Sequence, residues 1–173
     1  MQITVVESLP QPMLFIRRRC SMDMVEIARQ VEAAFAELGR FLADHHVAPV
    51  APPLTVYSDW TATETTIEVG FPVTAADLAK AEGQVLAGQT PGGVALRTIH
   101  RGPYPELSAT YRAFEHEMGR LGIPMGSRCW EIYPLDPETT PPADLITEIH
   151  IEIAPADAAK VPGAGQGDVV HAA

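Results

Sequence analysis

The second half of this chain repeats the order of elements of the first, and that repetition constrains the fold more than any single motif does. Residues 13–73 read as an apolar strand, an amphipathic helix, then Leu54-Thr-Val-Tyr57-Ser-Asp59 and Thr66-Ile-Glu68-Val-Gly-Phe-Pro-Val73. Residues 94–153 run strand, helix, Cys129-Trp-Glu-Ile-Tyr133-Pro-Leu-Asp136, then Thr147-Glu148-Ile-His-Ile-Glu-Ile153. Tyr57 answers Tyr133, and Glu68 answers Glu148. One strand-helix-strand-strand unit buries little surface alone, so two copies are expected to pair. The expected fold is α+β: duplicated modules, an antiparallel sheet, two long helices packed on one face and a cleft between the modules. Clefts of that kind bind small molecules. One domain is expected over residues 1–155, with repeats at about 13–73 and 94–153. Residues 156–173 turn to Ala, Gly and Pro without periodicity and are expected to form a flexible tail.

The first helix is marked by Val25, Ile27, Ala28, Val31, Ala34, Phe35, Leu38, Phe41 and Leu42 at helical intervals, opening near Ser21 or Asp23. The second spans about 106–122, with Leu107, Tyr111, Phe114, Met118 and Leu121 on one stripe and Gly122 as a C-terminal stop. The intervening residues 75–83 read as a brief helix or turn that connects the two halves.

Formal net charge is −10 over 173 residues. An acidic chain lacks the clustered Lys and Arg on which phosphate-backbone binding depends, so direct nucleic-acid binding is not expected. The one basic run, Arg17-Arg18-Arg19, falls on a strand, where alternation turns its middle member away from its neighbours. The two cysteines, Cys20 and Cys129, occupy non-equivalent strands and form no CxxC or Cys/His spacing, so free buried thiols are expected. No secretory leader and no apolar run of membrane-spanning length is present, which leads to a cytoplasmic expectation without a membrane partner. Neither a metal nor a cofactor is expected, since His45-His46 has no ligand set and no phosphate-binding or nucleophile-elbow motif occurs.

Strand alternation places Thr147, Ile149, Ile151 and Ile153 on one face and Glu148, His150 and Glu152 on the other. The isoleucines should meet a helix, which leaves Glu148 on the opposite, concave or exposed face. Aromatic residues supply the second ingredient of a binding site: Tyr57, Trp60, Tyr104, Tyr111, Trp130 and Tyr133 all lie in or beside the strands and hairpin ends. Rings around a carboxylate suit a flat, lipophilic cation through area and cation-π attraction. Core packing is the alternative for Tyr111, and alternation sends Trp130 and Tyr133 to opposite sides of the sheet. His100 ends a strand before a glycine turn and reads as a structural residue.

Taken together, His100-Arg-Gly-Pro-Tyr104-Pro-Glu-Leu107, Trp130-Glu-Ile-Tyr133-Pro-Leu-Asp136-Pro137 and Thr147-Glu148-Ile149 resemble the GyrI-like small-molecule binding domain. That domain is also the effector-binding part of AraC-type and MerR-type multidrug-responsive transcription regulators. The resemblance covers about residues 13–153. It implies the duplicated α+β fold, a hydrophobic pocket between the modules, and a ligand-contacting glutamate in the T-E-I strand, which is Glu148 here. Tyr133 and Trp130 match aromatic pocket positions. Some stand-alone members of the family hydrolyse cyclopropane-containing compounds, and others modulate DNA gyrase.

Strand-like sequence begins almost at Met1, without a preceding helix-turn-helix, so a stand-alone binding protein for hydrophobic or cationic small molecules is expected. Glu148 would be its countercharge, with Tyr133, Trp130, Tyr111, Tyr104 and Trp60 as walls and Glu68 as the repeat-related carboxylate. The enzymatic alternative makes Glu148 a general base or nucleophile assisted by Tyr133. A third alternative is a protein partner, such as gyrase, met by the acidic surface.

Overall fold

The computed structural model describes residues 1–163, which divide into two compact units. One is continuous, residues 10–91. The other joins residues 1–9 to the segment that begins at Gly92. Each consists of a four-stranded antiparallel sheet with one long helix.

In the continuous unit the strands are β2 (Pro12–Ser21), β3 (Leu54–Ser58), β4 (Glu64–Pro72) and β5 (Val85–Gln89), and the helix is α1 (Met24–Asp44). The sheet order is β3-β4-β2-β5. Asp23 caps α1, its carboxylate accepting from the Val25 and Glu26 amides and so satisfying two of the donors a helix start leaves unpaired. The helix buries Ile27, Ala34, Leu38 and Leu42, spaced at three or four residues, against Leu14, Ile16, Ile67 and Val69 of the sheet. A fully buried leucine such as Leu38 contributes about 1.5–3 kcal/mol. β5 is an element to which the sequence reading assigns nothing, since the connector it expects ends at residue 83. Its Gly88 is required where it stands, because a Cβ there would meet the Phe15 ring at 2.9 Å.

The other unit contains β1 (Thr4–Ser8), β6 (Gly93–Arg101), α2 (Leu107–Leu121), β7 (Arg128–Ile132) and β8 (Ile146–Glu152), with sheet order β1-β6-β8-β7. The two sheets share one topology: β7, β8 and β6 answer β3, β4 and β2. The fourth position is filled by β5 in one unit and by the N-terminal β1 in the other, where Thr4 stands opposite Arg97 and Ser8 opposite Gly93. Leu9-Pro-Gln11 separates β1 from β2, which belong to different units.

The equivalence extends to fine detail. His46 and Gly122 end their helices with φ of 53° and 66°, and the amides of the next residues, Val47 and Ile123, bond to the Leu42 and Met118 carbonyls. Both units then carry a short 3-10 turn, Ala75–Lys80 and Pro155–Lys160, whose final lysine pairs with an aspartate three residues earlier. Lys80 donates to the His46 carbonyl and Lys160 to the Gly122 carbonyl, so each closes the C-terminus of its long helix. Within the stretch expected as tail, Pro155–Lys160 forms this turn and Val161 is buried, while residues 164–173 lie outside the described part.

The basic run behaves as alternation requires. Arg17 and Arg19 pair across the strand with Glu68 and Glu64, and Arg18 turns to α1 and bonds Gln30 and Glu37. Both cysteines are free and buried. No helix among the described residues is long and apolar enough to cross a membrane.

Candidate functional site

The site forms in the unit that contains α2, on the sheet face covered by that helix. Register fixes which residues share this face. Thr98 stands opposite Ile149 and His100 opposite Thr147, and Glu131 stands opposite Ile149 from the other side. Ile149, Ile151 and Thr147 are fully buried here, as alternation along β8 predicts.

Among these apolar residues lies one carboxylate. Glu131 is only 4% exposed. One of its oxygens accepts a hydrogen bond from the Tyr111 phenol of α2 at 2.8 Å, the other from the Tyr133 phenol at 2.6 Å. Bonds of this length to a carboxylate are charge-assisted and roughly twice as strong as neutral ones. Tyr104, in the 3-10 turn Tyr104–Glu106 before α2, packs edge-on against Tyr133 with ring centroids 5.7 Å apart. Burial pushes the Tyr104 phenol above its ordinary pKa, and the negative charges of Glu131 and Asp136 add to the shift. Cys129, two residues before Glu131 on the same face, has its thiol pushed up to about 12 by burial and by Glu131, against the pull of a hydrogen bond with Tyr111. Tyr111 and Tyr104 are half-buried and form the side of the cluster nearest solvent.

Thr147 and His100 extend the same face. His100 bonds Thr110 of α2 through Nδ1 at 2.8 Å and the Pro103 carbonyl through Nε2 at 3.3 Å, which makes it the structural residue the sequence suggests. The Thr147 hydroxyl is fully buried and has no hydrogen-bond partner. A recess of about 700 Å³ opens at the edge of β6, lined by Gln2, Thr98, His100, Glu106 and Thr110 among others.

The opposite sheet face carries different groups. Trp130 stacks parallel on His150 with centroids 5.1 Å apart, both deeply buried. Burial lowers the His150 pKa to about 4, with nearby Arg97 adding to the shift. Glu148 is on this face, its side chain 28% exposed, with an oxygen 3.7 Å from Arg97 and 4.0 Å from His150.

Of the residues singled out from sequence, the structure brings Tyr104, Tyr111 and Tyr133 together, and gathers them around Glu131 rather than Glu148. Trp130 and Glu148 share the other face of the same sheet. Trp60 and Glu68 belong to the continuous unit, where Trp60 is half-buried and Glu68 pairs with Arg17 at 2.6 Å. Glu131 is the residue the sequence reading passed over. The signal available was its parity with Tyr133 and Cys129 on one side of the strand. Among the described residues no group of three His, Cys, Asp or Glu side chains could hold a metal ion.

Two α+β units of one topology, one of them holding a carboxylate between two phenols, are thus in place. The chain belongs to the family of the GyrI-like small molecule binding domain, whose model matches residues 1–154. None of the curated proteins matches it in sequence. Among solved structures, the C-terminal domain of EcmrR is similar at 19% identity and a TM-score of 0.74, covering 88% of this chain and 97% of that one. Against EcmrR in its DNA complex the chain spans 58% of the length. SAV2435 bound to tetraphenylphosphonium is similar at 11% identity and a TM-score of 0.66, covering 91% of this chain and 96% of that one. A hydrolase from Listeria innocua has 18% identity and a TM-score of 0.54, with 88% and 92% covered. These likenesses establish the shared fold.

Proposed function

We propose that this protein binds amphipathic, cationic small molecules, with Glu131 as the countercharge and Tyr104, Tyr111 and Tyr133 as the aromatic surround. The observation that carries this reading is the 4% exposed carboxylate held by two phenols at 2.8 and 2.6 Å. An ionised group removed from water is costly unless hydrogen bonds and a cation offset it, so such a site gains from an arriving cation. The tyrosines orient the carboxylate and offer π faces to an aromatic ligand. Tetraphenylphosphonium, the molecule in the SAV2435 structure, has that character: a permanent cation sheathed in rings.

The test compares Glu131→Gln with Glu148→Gln in titrations with tetraphenylphosphonium and a lipophilic protonated amine. Truncating a desolvated charge partner costs about 2–5 kcal/mol, so Glu131→Gln should weaken binding by roughly thirtyfold or more. Glu148 is solvated and has Arg97 nearby, so Glu148→Gln should change affinity less than threefold, the scale of a weak exposed pair. Equal affinity of Glu131→Gln and the parent protein would remove the basis of the reading.

A second reading is favoured by the same trio. A carboxylate fixed by two phenols in a largely dry setting is equipped as a general base or nucleophile, with the phenols as proton donors. Turnover of cyclopropane-bearing substrates, abolished in Glu131→Gln and retained in Glu148→Gln, would support it. Absence of turnover across such a panel, with binding intact, decides for the receptor.

A further inference from the structure

The least satisfied group on the face of the site is Thr147. Its hydroxyl is fully buried and unpartnered, although a buried polar atom ordinarily finds a hydrogen bond. His100, the residue opposite it on β6, cannot serve, because both ring nitrogens are committed to Thr110 and the Pro103 carbonyl. On the other side the Tyr133 phenol is donated to Glu131. Isoleucine at the next same-face position, Ile149, offers nothing polar. Thr147 therefore presents an unpaired hydroxyl, able to accept as well as to donate, among residues whose donors point elsewhere.

Its position is what gives this consequence. Glu131 stands opposite Ile149, so Thr147 is its diagonal neighbour on the same face, at a backbone separation of roughly 7–8 Å. A charged head group that pairs with Glu131 therefore has the Thr147 hydroxyl as its diagonal neighbour on the sheet. An ionised carboxylate accepts and cannot donate, and a threonine oxygen accepts through two lone pairs. An N–H donor placed beside Glu131 can be accepted by both oxygens. The recess at the edge of β6 is lined by His100, the residue that stands opposite Thr147.

Resting on the Glu131 reading, we propose that Thr147 is a specificity-determining residue that selects cations bearing an N–H bond, protonated amines, over permanently quaternary cations of the same size. A protonated amine donates one N–H to Glu131 and a second to Thr147. A quaternary ammonium or phosphonium satisfies the charge of Glu131 and leaves the Thr147 hydroxyl as it is.

The experiment uses a matched pair, a protonated secondary aryl-alkyl amine and its quaternary N-methylated analogue, titrated into the parent protein, Thr147→Val and Glu131→Gln. Valine keeps the shape of threonine and removes only the hydroxyl. The parent protein is expected to prefer the secondary amine by roughly tenfold, the scale of one hydrogen bond to a charged donor. Thr147→Val should lose that preference by weakening the amine alone, and Glu131→Gln should weaken both ligands. Equal affinity of the pair in the parent protein, or a preference that persists in Thr147→Val, overturns the role of Thr147 while the Glu131 reading stands. Binding of both ligands undiminished by Glu131→Gln overturns the reading on which it rests.

Discussion

Removing the Tyr133 hydroxyl tests the electrostatic argument at its root. Tyr133→Phe keeps the ring, its burial and its edge-on contact with Tyr104, and deletes the 2.6 Å bond to Glu131. A hydrogen bond to a charged acceptor is worth about 1.5–3 kcal/mol. Tyr133 is buried, so water cannot readily replace the lost donor, and the cost should fall in the upper part of that range, about 2–3 kcal/mol. Tyr111→Phe removes an equivalent bond, but Tyr111 is half-buried and water can partly substitute, so about 1 kcal/mol is expected. Both donors serve one carboxylate, and the double variant should lose more than the sum of the two, by about 1 kcal/mol. Urea denaturation at pH 7 measures this as a shift of the midpoint with the slope unchanged. A Tyr133→Phe protein within about 0.5 kcal/mol of the parent, or more stable than it, would show that Glu131 is not a desolvated charge dependent on its phenols.

Other consequences are more local. The His150 pKa is depressed to about 4 from the ordinary 6.5, so the unfolded chain binds more protons between those values. Stability from this group is therefore full above about pH 6.5 and is lost as pH falls toward 4, on the order of 3 kcal/mol in all. His150→Phe, which keeps a ring against Trp130, should flatten that part of an acid-denaturation curve. His46→Gly should raise stability by about 1 kcal/mol in a thermal melt, since it relieves a left-handed backbone that Gly122 already accommodates in the other unit. Gly126→Ala should be severely destabilising, about 3 kcal/mol or more by denaturant titration, because its Cβ would lie 2.0 Å from the Glu152 carbonyl oxygen. Thr147→Val should leave the unliganded protein as stable as the parent or up to about 1 kcal/mol more stable, since an unpaired hydroxyl leaves a dry position.

The helices, seven of the eight strands among the described residues and the faces of β8 were legible, most of them because their apolar residues recur at one clear period. Leu107, Tyr111, Phe114 and Met118 mark a helix side, and Ile149 and Ile151 mark a strand side, whatever lies around them. β5 escaped because Val85-Leu-Ala-Gly-Gln has neither alternation nor β-branched residues beyond the first, and its existence depends on the edge that β2 offers. The partner of β1 escaped for a similar reason, since pairing with β6 is set by tertiary contacts distant in the chain. Within the site, the three tyrosines were legible as aromatic residues near hairpin ends. Glu131 was not, and the repeat itself hid it. Comparing the copies draws attention to glutamates that recur, Glu68 and Glu148, whereas the position matching Glu131 in the continuous unit holds the buried Thr55. The proposed site sits where the copies diverge, and a search for agreement between them passes over it.

The strand exchange at the N-terminus bears on how the protein is made. Thr4 leaves the ribosome ahead of its partner Arg97, which is synthesised 93 residues later, a delay of roughly 5–20 s at ordinary translation rates. In that interval the continuous unit, residues 10–91, is complete and can close, while the leading strand waits with its backbone unpaired. A nascent chain truncated just after Gln89 should already resist proteolysis except at its first residues, and those gain protection only once β6 has emerged.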